Sequence, residues 1–190
     1  AQVIWCGNPN NPTGQVIPKK ELVKYIQKHP EQVFVFDQSY ASFSPKEVPS
    51  APEAISLGNV ILVQSLTKSF AIPGLRLGYL VSNSTTLGRI RALSHPWSVN
   101  TLAIEAGKWL LRNQALYEDI EAQLLKSSRT LRAKLSAFPW LSIIPTDTHF
   151  FIFHFEVSGA TSADLKEWLA RERGILVRDA TNMGALGTAC

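Results

Sequence analysis

Gln2-Val3-Ile4-Trp5-Cys6-Gly7-Asn8-Pro9-Asn10-Asn11-Pro12-Thr13-Gly14 decides the fold class. It joins a short apolar run directly to a loop that holds Gly7, Gly14, Pro9, Pro12 and the asparagines Asn8, Asn10 and Asn11. The run has the length and β-favouring composition of a buried strand. In the loop, the prolines restrict φ and the glycines permit tight backbone, so the asparagine side chains are held where the strand ends. Open α/β sheets bind ligands outside the carboxyl ends of their strands. A rigid turn with no further duty is the competing reading of these residues alone.

The same arrangement recurs down the chain. Strands are expected at 2–6, 32–36, 60–65 and 77–81, with a helix at 20–29 closed by Pro30. That alternation predicts an α/β fold with a largely buried, mostly parallel mixed sheet. The stretch 66–76, with its Pro73-Gly74 turn, is too short for a comfortable parallel crossover, so the last two strands are expected to pair antiparallel. Beyond Val99 the pattern changes to long helices at 100–111 and 115–135, a strand at 149–155, a helix at 162–173 and a short strand at 175–178. This second half reads as a smaller C-terminal α/β domain. The segment 94–100 is the expected boundary, giving units 1–95 and 96–190.

Composition narrows the class. An apolar fraction of 45% with 18% charged residues is that of an ordinary folded protein rather than a disordered one. The net charge of +4 is scattered, without a basic stripe or zinc-finger spacing, which argues against nucleic acid and is compatible with anionic small molecules. No apolar stretch approaches a membrane span, and no signal segment is visible. Cys6 and Cys190 make no disulfide framework, so a reduced, cytoplasmic protein with Cys6 as a small buried hydrophobe is expected. His29, His95, His149 and His154 lack paired ligand spacing, and no metal is expected. The chain opens on a strand without a lead-in, which leads to the expectation of a missing N-terminal portion.

Two further strand ends carry chemistry. Asp37 follows Val33-Phe34-Val35-Phe36, with Tyr40 three residues on. A carboxylate there is costly to bury without a partner, although a cap or a surface turn would also explain it. Ser65 and Lys68 follow Val60-Ile61-Leu62-Val63-Gln64, and Arg76 lies past the Pro73-Gly74 turn. A desolvated lysine is a usable amine nucleophile and a guanidinium suits a phosphate, whereas an isolated loop lysine is ordinarily a solvent-facing one.

Read together, Asn11 in Asn-Pro-Thr-Gly, Asp37 and Tyr40 in Asp-x-x-Tyr, and Ser65-Leu66-Thr67-Lys68 followed by Arg76 resemble the fold-type I pyridoxal-phosphate enzymes of the class I/II aminotransferase superfamily. The resemblance extends over essentially the whole chain. It implies part of the large cofactor-binding domain followed by the small domain, with the N-terminal part and the extreme C-terminus of the family fold missing. It implies pyridoxal 5'-phosphate as cofactor, attached to Lys68. Asp37 would pair with the pyridine nitrogen, Asn11 and Tyr40 would hold the ring oxygen, and Ser65 and Arg76 would receive the phosphate.

Within the superfamily, residues 69–79 and the asparagine-rich loop are similar to the histidinol-phosphate aminotransferase branch. Pro96-Trp97-Ser98-Val99-Asn100 and Val177-Arg178-Asp179-Ala180-Thr181-Asn182 are similar to its threonine-phosphate decarboxylase group. The resemblance implies decarboxylation of L-threonine O-3-phosphate to (R)-1-aminopropan-2-yl phosphate in cobalamin biosynthesis. Arg178, together with Asn11, would face the substrate. An aminotransferase acting on a phosphorylated substrate and a non-catalytic fragment are the alternatives. A homodimer is also implied. Residues 96–100 could equally be a proline-bent linker with Trp97 packed between lobes and Asn100 capping a helix. Arg178 could equally form a structural ion pair. Against the resemblance, the loop that cradles the phosphate, the aromatic that stacks on the ring and the carboxylate-binding arginine are absent, and the tail 184–190 departs from the aromatic-then-Gly-Leu pattern of the group, so little or no turnover by this polypeptide alone is expected.

Overall fold

The computed structural model describes residues 2–183. Strands β1 (Val3–Gly7), β2 (Val33–Asp37), β3 (Val60–Ser65) and β4 (Gly78–Val81) form one sheet in that order. β1, β2 and β3 run parallel and β4 returns antiparallel to β3, as the short connection requires. Register places Gly7 opposite Asp37, and Asp37 opposite Val63. The parallel strands therefore finish side by side, and the loops that leave them share one rim.

β2 is central, and Phe34, Val35 and Phe36 are all buried. Phe34 and Phe36 share one face with Val60 and Leu62, and α1 (Lys19–Lys28) covers it with Leu22 and Ile26. Each such side chain stabilises the fold by about 1.5–3 kcal/mol through the area it removes from water. Helix α2 (Ala51–Leu57) completes this layer through Ala54. Its N-terminus is a capping box: Glu53 Oε2 accepts from the Ser50 N–H at 2.8 Å, and Gly58 ends it in the left-handed region at φ 79°.

After β3 comes the short helix α3 (Leu66–Ser69), whose Leu66 packs with Phe70 and Leu110. Helices α4 (Ser84–Ala92), α5 (Thr101–Arg112) and α6 (Ala115–Leu135) follow. Asn100 caps α5 by accepting from the Ala103 N–H at 2.8 Å and also donates to the Leu75 carbonyl at 3.3 Å. The small hairpin β5 (Leu141–Ile143) and β6 (Phe153–Phe155) and helix α7 (Ser162–Arg173) form the rest.

Three expectations and one alternative reading change. The strand expected at 149–155 is regular only from Phe153, because the Thr146 and Thr148 hydroxyls both donate to the Phe150 carbonyl, at 2.9 and 3.2 Å, and occupy an acceptor that a ladder would use. Residues 175–178 are not a strand, since the Ile175 N–H closes α7 on the Leu169 carbonyl after Gly174 turns left-handed. Trp97 is 97% exposed at φ 56°, not packed between lobes. Cys6 is half-buried at the edge of the main cluster rather than inside it, and burial raises its thiol pKa. Cys190 and the rest of the 184–190 tail lie outside the described residues.

Candidate functional site

The rim at the ends of β1, β2 and β3 encloses a cleft of about 380 Å³ lined by Trp5, Gly7, Pro9, Asn10, Asn11, Asp37, Ser39, Tyr40 and Lys68. Four residues singled out from sequence, Asn11, Asp37, Tyr40 and Lys68, thus share one cleft although they come from three separate segments. The parallel register is the cause, because it brings three strand ends to the same level.

Local chemistry shapes each loop. Beyond β1 the Asn8–Pro9 and Asn11–Pro12 peptide bonds are cis. Asn8 is fully buried, its N–H donates to the Asp37 carbonyl at 2.9 Å, and its Oδ1 accepts from the Ile17 N–H at 2.9 Å. Asn10 Nδ2 donates to Thr13 Oγ1 at 2.8 Å, tightening the turn from within. Gly14 has φ 72°, and a β-carbon there would collide with the Thr146 and Thr148 hydroxyls. Only glycine meets both the backbone and the spatial demand.

Asn11 Nδ2 donates to the Tyr40 hydroxyl at 3.2 Å, joining the first and second loops. Asp37 Oδ1 accepts from both the N–H and the hydroxyl of Ser39, at 2.9 and 2.5 Å. Those bonds orient the carboxylate and use only one of its oxygens. Lys68 is exposed on α3, with Nζ 5.8 Å from the Tyr40 ring centroid, inside the range of a cation–π contact. Among the described residues it forms no ion pair.

The other predicted residues lie apart. Ser65 Oγ is 2.7 Å from Thr67 Oγ1 and lines a neighbouring cavity of about 220 Å³ with Gln64, Ser42, Ser69, Glu118 and Glu121. Burial raises the Glu121 pKa, the Ser42 hydroxyl partly offsets this, and Glu118 adds to it. Arg76 is exposed in the left-handed region at φ 53° and donates to the Pro73 carbonyl at 3.1 Å, so its guanidinium does not enter the Lys68 cleft. Arg178 is exposed and lines neither cavity. Asp179 accepts from the Thr181 N–H and hydroxyl, which makes it a turn residue.

Sequence reasoning passed over Trp5, Ser39, His149 and Phe150. Trp5 and Ser39 were legible as strand-end neighbours of Gly7 and Asp37. His149 and Phe150 reach Tyr40 only through the fold, with ring centroids 6.4 and 4.8 Å from it. The His149 imidazole pKa is lowered from its ordinary 6.5 by burial, and its Nδ1 is buried without a hydrogen-bond partner among the described residues. No group of metal-ligating side chains is found among the described residues.

Residues 1–189 match the family described as aminotransferase class I and II. A histidinol-phosphate aminotransferase of a Thermoanaerobacter species is 31% identical over 185 residues, covering 97% of this chain and 50% of that protein. Among solved structures, L-threonine-O-3-phosphate decarboxylase from Porphyromonas gingivalis superposes with a TM-score of 0.92 at 33% identity, covering 99% of this chain and 57% of that one. Histidinol-phosphate aminotransferase from Sinorhizobium meliloti, solved with pyridoxal-5'-phosphate, has the same fold, with a TM-score of 0.82 at 21% identity over 94% of this chain and 49% of its own. The chain spans about half the length of the curated relatives it matches.

Proposed function

The chain belongs to the class I and II aminotransferase family, and on that premise we propose that it carries the lysine-bearing part of a pyridoxal-phosphate site serving decarboxylation of L-threonine O-3-phosphate. The observation that carries the reading is the single cleft in which Asn11, Asp37, Tyr40 and Lys68 meet. Pyridoxal phosphate is the cofactor this family uses.

The donor set fits that group. The cleft offers an exposed amine, a carboxylate oxygen left outside the Ser39 bonds, and a phenol already tied to an amide. When bound, pyridoxal phosphate supplies an electron sink for the bond that breaks at the substrate Cα. Lys68 would be the amine that holds it and would carry protons at the reacting carbon. Asp37 holds a proton at the ring nitrogen, oriented for that task by Ser39. Asn11 and Tyr40 orient the ring oxygen as a hydrogen-bonded pair. Ser65, from the neighbouring cavity, and Arg76 would receive the phosphate; the Arg76 guanidinium, which rests on the Pro73 carbonyl outside the Lys68 cleft, would have to turn towards it and retains other donors for that contact. Asn11 within the cleft and Arg178, exposed outside it, would face the anionic substrate.

The decarboxylase reading is supported by the likeness to the Porphyromonas gingivalis enzyme and by the 96–100 and 177–182 segments. Amino transfer on a phosphorylated substrate is the second reading, favoured by the 31% identity to the Thermoanaerobacter aminotransferase. The proposed protein is a cytoplasmic homodimer whose larger and smaller domains divide at 95/96. No helix among the described residues is long and apolar enough to cross a membrane.

The test is product analysis with the full-length protein, pyridoxal phosphate and threonine phosphate, with and without 2-oxoglutarate. The decarboxylated amine in both reactions supports the lyase. No amine, with glutamate formed when histidinol phosphate is the donor, replaces it with the aminotransferase. Loss of cofactor binding in the 190-residue chain, together with stable binding to an N-terminal segment of the full-length protein, would favour the non-catalytic alternative.

A further inference from the structure

Residues 147–150 are far along the chain from the strand-end loops, yet they touch two of them. The Asp147 N–H donates to the Gly14 carbonyl at 3.0 Å, and Asp147 Oδ2 accepts from the Val16 N–H at 3.1 Å. Three residues on, the Phe150 ring meets Tyr40 edge-on with centroids 4.8 Å apart. His149 lies between them in sequence, its ring 4.4 Å from Phe43 and 6.4 Å from Tyr40. Phe43 is itself 6.5 Å from Tyr40 and buried, so the three rings close around the tyrosine's flank.

The segment is anchored at both ends. Thr146 and Thr148 hydroxyls hold the Phe150 carbonyl, the Ile144 N–H donates to the Ile152 carbonyl at 2.9 Å, and Ile152 is buried against Ala180. By contrast, the Asn11–Tyr40 bond is one solvent-exposed contact between two loop side chains. One exposed hydrogen bond leaves a phenol ring free to tilt, whereas packed aromatic neighbours with fixed geometry do not. The buried Nδ1 of His149, without a hydrogen-bond partner among the described residues, shows that the ring is kept in place despite a cost to its polar edge.

From these contacts we infer that residues 147–150 form a positioning element for the Asn11–Tyr40 pair: Phe150 and His149 set the tilt of the Tyr40 ring, and Asp147 fixes the loop that carries Asn11. The inference rests on the reading of the cleft as the pyridoxal-phosphate site. None of the three residues is a catalytic residue in this account. They act through Tyr40 and Asn11, and so they link the second half of the chain to the cofactor's ring oxygen.

The test uses the full-length protein loaded with pyridoxal phosphate and follows the visible absorbance band of the bound cofactor against pH. Y40F is expected to shift the titration midpoint. F150L and H149A should shift it in the same direction, and the Y40F/F150L double variant should shift it no further than Y40F alone. H149F, which keeps a ring at the brace, should stay at the wild-type midpoint. Full addition of the two shifts in the double variant, or a wild-type midpoint in F150L when Y40F moves it, overturns the inference. If Y40F itself leaves the band unmoved, the assignment of Tyr40 to the cofactor has failed, and the positioning is then judged without cofactor. There, the Tyr40 ring resonance in isotope-labelled protein, assigned by its loss in Y40F, should shift or broaden in F150L and H149A, and an unmoved resonance overturns the inference. If F150L fails to fold, H149A and D147N carry the same comparison.

Discussion

Replacing Gly14 by alanine tests whether the Asn-Pro-Thr-Gly loop is locked to the second half of the chain. Gly14 sits at φ 72°, where a β-carbon costs about 1–2 kcal/mol from backbone sterics alone. The added carbon also meets the Thr146 and Thr148 hydroxyls, which cannot simply swing aside because both donate to the Phe150 carbonyl. Overpacking of that kind typically costs about 1–3 kcal/mol, so the total loss is roughly 2–5 kcal/mol. At about 2–4 °C per kcal/mol for a protein of this size, thermal unfolding should fall by on the order of 10 °C. The assay is urea denaturation together with a thermal melt, run on G14A, T146A and the double variant. Removing the Thr146 hydroxyl makes room, so the double variant should lose less than the sum of the single losses, by about 1 kcal/mol or more. A G14A variant within about 0.5 kcal/mol of wild type, or strict additivity, would refute the argument that glycine is demanded here by space and backbone together.

Other substitutions read separate parts of the fold. Asn100→Ala removes the cap of α5 and the bond to Leu75, and should cost about 1–2 kcal/mol in chemical denaturation. Glu53 is held at about 2, below its ordinary 4.5, first by the Ser50 N–H, then by the Ser50 hydroxyl and by Lys19. Its folded value is depressed, so its stabilisation is complete above pH 4.5 and is lost as pH falls towards 2. Because the group is largely solvated, E53Q should remove only about 1 kcal/mol at neutral pH and flatten the stability profile across that window. His149 has a depressed value caused by burial. The stability its neutral form permits is therefore intact above pH 6.5 and declines as pH drops below it. H149F should abolish that part of the acid sensitivity in stability measured across this pH range.

Much of the sheet was legible because its strands are short, β-rich and each followed by a loop of polar residues. The antiparallel return of β4 followed from the brevity of the 66–76 connection alone. Helix α2 had a readable start in Ser50 and Glu53 and a readable stop in Gly58, but it is too short to show periodicity. The strand at 149–155 was over-read because alternating phenylalanines signal a strand whatever their carbonyls do, and the Thr146 and Thr148 hydroxyls claim one of them. Asn11, Asp37, Tyr40 and Lys68 could each be picked from strand ends, and parallel register then gathered them. His149 and Phe150 carry no local signal, since their contact with Tyr40 spans most of the chain. Arg76 was expected to receive the cofactor phosphate, on its place past the Pro73-Gly74 turn and on the resemblance. Its left-handed backbone turns the guanidinium to Pro73 instead.

The central claim is that Lys68 is the residue to which the cofactor is attached. The full-length protein should be incubated with pyridoxal phosphate, reduced with borohydride, digested and sequenced by mass spectrometry. A phosphopyridoxyl group on the peptide containing Lys68, absent from K68A, is the predicted result. Modification spread over other lysines, or undiminished in K68A, would contradict it.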